Sequence, residues 1–476
     1  MSVGLLKSAS TTALFAAVGL LVGGVAMPSA KAADLGGDCC ADLEERVAEL
    51  EATTARKGNR RVSLTVSGQV NRSMLYWNDG FQRDIYSTDN AIGNSRFRLG
   101  GSARINPSLE AGFLFEIDLS IGARSHQVSQ VDDDGVGSPL TALSDGLGGA
   151  GDSLPGITQA NWYLAHKEIG RLTVGKANTT TSGIGIIDVS NTGVIANAQA
   201  FNWGGGMLLR NGAGVLGAKT WGQQNCGSPG TSGGSYSSDC GQHATSRRDA
   251  IMYTTPTWAG FSAGVSFGEN DFWDTGLRYA GEAAGFRVAA GVGYRSYKDQ
   301  ETDALNATNT GALDNTDRRM LLASASAMHV PSGLFVSGSY YRYEFRGTNA
   351  GELINGLLAN GNRPDVVAWY VNGGIQQNWT GLGPTTFYGE YGKTTDGVTG
   401  LATADAMGGA GFGTGIVVDS ELTFYGFGAV QNISAAAMDL YIGYRRYSTD
   451  VTTSLVQVTG GLEDIWYVQA GARIQF

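Results

Sequence analysis

VSLTVSGQV (62–70) sets Val62, Leu64, Val66 and Val70 on one side of an extended chain and Ser63, Thr65, Ser67 and Gln69 on the other. Successive strand residues point to opposite faces, so this period of two predicts a strand with one apolar face. The alternation returns in SRFRLGGSARI (95–105), LEAGFLFEIDL (109–119), FRVAAGVGYRSY (286–297) and DIWYVQAGARIQF (464–476). Connections between strands alternate in length. Short links fall at 106–108, 167–170, 256–260, 281–285, 331–333, 378–384 and 432–436. Long ones cover 78–94, 121–157, 178–247, 298–317, 346–364, 394–418 and 448–461, with one brief exception at 269–273. Seven short turns and eight outer connections predict sixteen strands with both ends of the barrel sequence at the short-turn side. A soluble sandwich would bury its apolar faces, whereas a membrane barrel turns them to lipid around a polar interior. Closure is obligatory there, because an open edge in lipid leaves backbone groups unpaired. The expected fold is all-β: a 16-stranded antiparallel transmembrane β-barrel over residues 61–476.

Composition agrees. The chain has 476 residues with 72 Gly and 9 Pro, and only 16% are charged, against a usual ~25%. A solvated helical protein would need more charge, and collagen would need a Gly period and abundant Pro. With 42% hydrophobic residues and 19 Tyr, 17 Phe and 9 Trp, the chain is not disordered. A net charge of −10 argues against nucleic-acid binding, which wants a basic face. Four Cys, as Cys39/Cys40 and Cys226/Cys240, are too few for a disulfide scaffold and lack zinc-site spacing.

Lys7, the apolar run from Thr12 to Met27 and Ala30-Lys31-Ala32 read as a Sec-type export signal, residues 1–32, cleaved before Ala33. The run is shorter than a membrane span requires. Residues 33–60 are expected to form a periplasmic segment with one short helix, ADLEERVAELEATTARK (41–57). Leu43, Val47 and Leu50 share its apolar stripe, which fits either a solvated spacer or a small coiled coil between subunits.

Catalytic strings are absent in substance. GLGGAG (146–151) has no βαβ unit around it, and GTSGG (230–234) and GVSFG (264–268) have no His partner in view. Asp132-Asp133-Asp134 reads as a solvated acidic loop. No enzyme activity, cofactor or metal is expected.

Charges on the inner face should matter most. If Phe97, Leu99, Ala103 and Ile105 face lipid, then Arg96, Arg98 and Arg104 point inward. On the next strand Glu110, Glu116 and Asp118 do the same. Such neighbours either create a transverse field across water or pair and brace the wall. Asp188 and Arg210 are further pore-lining candidates within the nearly neutral 178–247 connection. The outer connections carry the acidic surplus, which predicts a weak cation preference.

In the last strand Trp466, Val468, Ala470, Ala472, Ile474 and Phe476 share one face, with Tyr467, Gln469, Arg473 and Gln475 opposite. An apolar alternation ending on Phe476 resembles the signal read by the barrel-assembly machinery.

Together with Ala33-Asp34-Leu35, VSLTVSGQVNRSMLYWNDG, NSRFRLGGSARINPSLEAGFLFEIDL, NWYLAHKEIGRLTVGKANT, RRDAIMYTTPTWAGFSAGVSFG and RIQF, the chain resembles alphaproteobacterial porins of the rhizobial type over residues 33–476. That resemblance implies a homotrimer of sixteen-stranded barrels amid outer-membrane lipid and lipopolysaccharide. It implies a constriction loop at 178–247 and passive diffusion of small hydrophilic solutes and ions. Two alternatives stay open: a substrate-specific channel using Phe201, Trp203 and Trp221, or a mainly structural tether. Barrels that mature to Ala-Asp can be joined to peptidoglycan, which makes Ala33 a candidate attachment point. In an oxidising compartment Cys226 and Cys240 are expected to form a disulfide.

Overall fold

A computed structural model describes residues 62–119, 124–131, 156–225, 247–269, 271–299, 316–346, 364–401, 403 and 407–476. The strands of the first half are β1 (Ser63–Asn78), β2 (Arg83–Asp89), β3 (Arg96–Arg104), β4 (Leu109–Asp118), β5 (Gly156–His166), β6 (Gly170–Asn178), β7 (Leu208–Arg210), β8 (Leu216–Thr220) and β9 (Arg247–Thr254). Then follow β10 (Phe261–Gly268), β11 (Trp273–Ala283), β12 (Phe286–Asp299), β13 (Thr316–His329), β14 (Leu334–Arg346), β15 (Val366–Gln377), β16 (Thr385–Thr395), β17 (Val417–Ile433), β18 (Met438–Thr453) and β19 (Ile465–Gln475).

β1 closes the sheet by pairing with β19, Asn71 opposite Arg473, and its other edge takes both β2 and β3. β2 and β3 therefore act as one interrupted strand, and the described residues form a closed barrel of sixteen antiparallel strands. β7 and β8 stand apart as a small hairpin inside the 178–247 connection.

The interruption departs from expectation. Residues 78–94 are not one loop: the Asp79 carboxylate accepts the Phe81 and Gln82 amides, tightening a turn that returns directly into β2. The chain then breaks where Asn90 caps a 3-10 turn, Ala91–Gly93, by accepting the Ile92 amide. β18 likewise runs to Thr453, shortening the connection expected over 448–461.

The period-two rule holds across the wall. Val66, Val70, Met74, Phe427, Ile442 and Ile474 are exposed on the outside, while Gln69, Asn71, Ser73, Gln469 and Arg473 are buried within. An aromatic belt marks one membrane interface, with ring centroids 5.3 Å apart for Tyr76 and Trp466, 5.9 Å for Tyr444 and Trp466, and 5.2 Å for Trp369 and Tyr391.

The interior is less polar than the barrel pattern implies. Met320, Leu322, Tyr341, Tyr343, Leu422 and Phe424 point inward, where they share one buried cluster with Ile184, Ile195, Trp203, Met207 and Leu209 of the long connection. The apolar residues are tolerated inside because that connection removes them from water.

The export signal, the 33–60 helix, Ala33 and the Cys39/Cys40 and Cys226/Cys240 pairs lie outside the described residues.

Candidate functional site

The long connection enters the barrel after β6 and runs along its inner wall. The Thr180 amide donates to Ser266 Oγ on β10 (2.8 Å), and the Thr181 hydroxyl to Asp274 on β11 (2.6 Å). A 3-10 turn, Ile184–Ile186, then seats against β14, where the Tyr341 hydroxyl donates to the Gly185 carbonyl (2.6 Å). Asn372 on β15 donates to Thr192 Oγ1 (2.9 Å), and Gln376 to the Ser190 carbonyl (2.6 Å). Tyr467 on β19 donates to the Gly204 carbonyl (3.2 Å). Each bond satisfies a loop backbone or hydroxyl group that has lost water, so the segment is fixed along its length.

One fastening is ionic. Arg445 on β18 grips Glu390 on β16 with two bonds, Nε to Oε1 at 2.8 Å and Nη2 to Oε2 at 2.7 Å. The Tyr370 hydroxyl donates to the same carboxylate (2.8 Å), and Arg445 Nη2 also reaches the Asn197 carbonyl of the loop (3.3 Å). The guanidinium lies between aromatic faces, 5.0 Å from the Trp203 ring centroid and 4.6 Å from that of Phe424. Gly443 leaves room for this approach, because a Cβ there would come within 2.9 Å of Trp203.

Inner faces on the opposite arc stay partly open. Arg98, Gly100, Ser102, Glu110, Gly112, Tyr163 and Arg171 on β3 to β6 are only half-buried. Here the predicted charges meet. Glu116 pairs with Arg98, with Arg96 at 3.7 Å and with Arg247 at 3.1 Å, and accepts the Thr158 hydroxyl (2.8 Å). Asp118 pairs with Arg124 (2.6 Å). Nearer the short-turn end, Arg104 is exposed opposite Glu110, which accepts the Tyr163 hydroxyl (2.9 Å). The Arg171 guanidinium lies 3.7 Å from the Tyr163 ring centroid.

Two other candidates are engaged elsewhere. Asp188 accepts the Ser190 and Gly193 amides of its own turn, at 2.8 and 3.0 Å. Arg210 binds Asp79 (2.8 Å), Gln82 and the Gly214 carbonyl (2.7 Å), tying the β7–β8 hairpin to the β1–β2 turn. Phe201, Trp203 and Trp221 are at most 6% exposed, so their faces are packed against protein.

Arg445, Glu390, Arg171 and Tyr163 were missed by sequence reasoning. The signal was present for the first two: in YIGYRRYS (441–448), Arg445 shares the inner face with Tyr441 and Tyr447, and Glu390 alternates with Phe387 and Tyr391. Alternation assigns the face, but not the partner across the lumen.

A family model described as Gram-negative porin matches residues 14–452. No curated protein matches the chain in sequence. Among solved structures, a loop L8 deletion mutant of OmpT, an outer membrane protein of Vibrio cholerae, is 14% identical, with 87% of this chain and 100% of that chain covered at a TM-score of 0.49. The anion-selective porin from Comamonas acidovorans is 16% identical, with 87% and 100% covered at 0.48. Salmonella typhi OmpF in complex with daunomycin is 14% identical, with 87% and 97% covered at 0.47. The assignment rests on the family match, which spans most of the chain. A closed transmembrane barrel with a segment packed into its interior is what that match describes in sequence terms, and the chain belongs to the Gram-negative porin family, a channel of the outer membrane.

Proposed function

We propose that the protein is a general diffusion pore for small hydrophilic solutes and ions. The observation that carries this reading is the contrast between the two inner arcs. The inserted segment covers the inner wall from β12 to β19, while charged, half-buried side chains line β3 to β6. Polar groups facing water leave a passage for hydrated solutes, and the packed Trp203 and Trp221 offer no aromatic slide for a specific one. Liposome swelling with sugars of increasing size tests it. Uptake graded by size supports the pore, and uptake of a single sugar or none overturns it.

Ion preference has two readings. Acidic outer connections favour cations weakly. A specific observation supports the reverse: on the open arc Arg96, Arg98, Arg104, Arg171 and Arg247 outnumber Glu110, Glu116 and Asp118. Zero-current potentials under a salt gradient separate the two.

We assign the chain to the rhizobial-type subgroup and to a homotrimer on the motifs given above. The outer wall supports the oligomer. Among the described residues, aromatic contacts link Tyr76, Trp466 and Tyr444, whereas the lipid-side face of β3 and β4 carries Phe97, Leu99, Phe113, Phe115 and Ile117. An apolar arc of Phe and aliphatic residues suits contact with another barrel better than a headgroup layer. Sedimentation of the detergent-solubilised protein at trimer mass supports this, and a monomer refutes it.

Phe476 closes β19 onto β1, exchanging backbone bonds with Gly68 of 2.9 and 3.1 Å. Its role as the signal for the barrel-assembly machinery predicts slower insertion of Phe476→Ser. Ala33 remains the proposed peptidoglycan attachment point; mass spectrometry of lysozyme-digested cell walls would find it modified or free.

A further inference from the structure

A regular pattern on the lipid-facing wall is not used by the pore. Three strands that run from short turn to outer loop each carry an exposed or half-buried Tyr followed two residues later by a cation. These are Tyr340 and Arg342 on β14, Tyr391 and Lys393 on β16, and Tyr444 and Arg446 on β18. Each returning segment supplies a carboxylate to that cation. Arg342 pairs with Asp365 (2.6 Å), Lys393 with Glu421 (2.8 Å) and Arg446 with Asp464 (2.7 Å). Below each acid an aromatic follows on the same chain: Trp369 after Asp365, Tyr425 after Glu421 and Trp466 after Asp464.

The belt of Tyr and Trp places the membrane–water interface, since such rings sit at headgroup level. Two residues of strand add about 7 Å along the chain. The cations therefore stand just outside the hydrocarbon, at the outer-loop end, where the headgroups of the outer leaflet lie. They are also accessible. Arg342 and Arg446 are 45% and 44% exposed, while Asp365 and Asp464 beside them are 19% and 31% exposed. Arg346, 36% exposed, adds a second guanidinium to Asp365 at 3.2 Å. An Arg held by a less exposed carboxylate has its orientation set and keeps donors for an anion from outside. The same geometry on three successive strand pairs spaces cations around the wall rather than in a pocket, which fits a layer of ligands and not a soluble one.

We propose that Arg342, Arg346, Lys393 and Arg446 form a docking surface for the phosphate groups of a phosphorylated glycolipid in the outer leaflet. The Tyr and Trp rings beneath would lie against its sugar and upper acyl segments.

The test uses the full-length protein purified in detergent and measures retained lipid by native mass spectrometry. The probes are bis-phosphorylated lipid A and the same lipid with its phosphates removed. Wild type should retain the phosphorylated form preferentially. Arg342→Gln, Lys393→Gln and Arg446→Gln combined should weaken that retention on the order of a hundredfold, since each cation near a charged lipid surface contributes about one factor of five. Pore conductance should not change. Equal retention of the two lipids by wild type would overturn the proposal without any variant. Unchanged retention by the folded triple variant would overturn it as well.

Discussion

Arg445 and Glu390 form a bidentate ion pair in which neither side chain retains any exposure. Two charges are thus removed from water inside a barrel whose open arc is wet. The pair is matched in geometry, and its remaining donors reach Tyr447 and the loop carbonyl of Asn197. Losing one partner leaves an uncompensated buried charge, which is the costly case. We expect Arg445→Ala or Glu390→Gln to cost about 3–5 kcal/mol, read as a lower midpoint of heat-induced unfolding. The apolar pair Glu390→Leu with Arg445→Met should lie closer to wild type than either single change. If the singles melt like wild type, the pair does not hold the wall and loop together.

Glu116 is the counter-charge to Arg96, Arg98 and Arg247. Glu116→Gln leaves their positive charge unbalanced on the open arc. The zero-current potential in a planar bilayer should move toward anion preference relative to wild type, most at low salt, where screening is weakest. A shift toward cations would place this cluster away from the ion path.

Gly204 adopts φ +65°, and a Cβ there would sit 2.3 Å from the Tyr467 ring. Gly381, in a short turn, has φ +74° with nothing within 4 Å. Gly381→Ala should cost only the left-handed backbone penalty, about 1 kcal/mol. Gly204→Ala adds a clash with a buried ring and should cost at least about 2 kcal/mol more, as overpacked sites do. Equal losses in thermal stability would show that the loop yields at this contact.

For Cys226 and Cys240, mass spectrometry of a non-reduced digest should recover the two peptides joined. The bond would stabilise by about 3 kcal/mol in the chain-entropy account of a loop of this size. Two free thiols would remove it.

Alternation alone determined the barrel. The residues of 62–70 and 464–476 separate into two faces, and lipid outside demands that the apolar one turn outward and the sheet close. Long and short connections then gave the strand number, because turn chemistry is local. The charged face of β3 and β4 was legible for the same reason: Arg98 and Glu116 are assigned to the inside by parity, whatever they touch.

Contact across the lumen is a different matter. Whether Glu116 faces open water or three arginines depends on Arg247, which lies far along the chain and arrives only when β9 packs beside β6. Met320 and Leu322 look misplaced on an inner face until the 178–247 connection folds over them. Tertiary structure also decided that Trp203 would pack against Arg445 rather than meet a solute. Strand parity is a property of neighbouring residues and is written in sequence order. The path of an inserted loop is set by which distant surfaces it can desolvate together, and only the closed barrel brings those surfaces within reach.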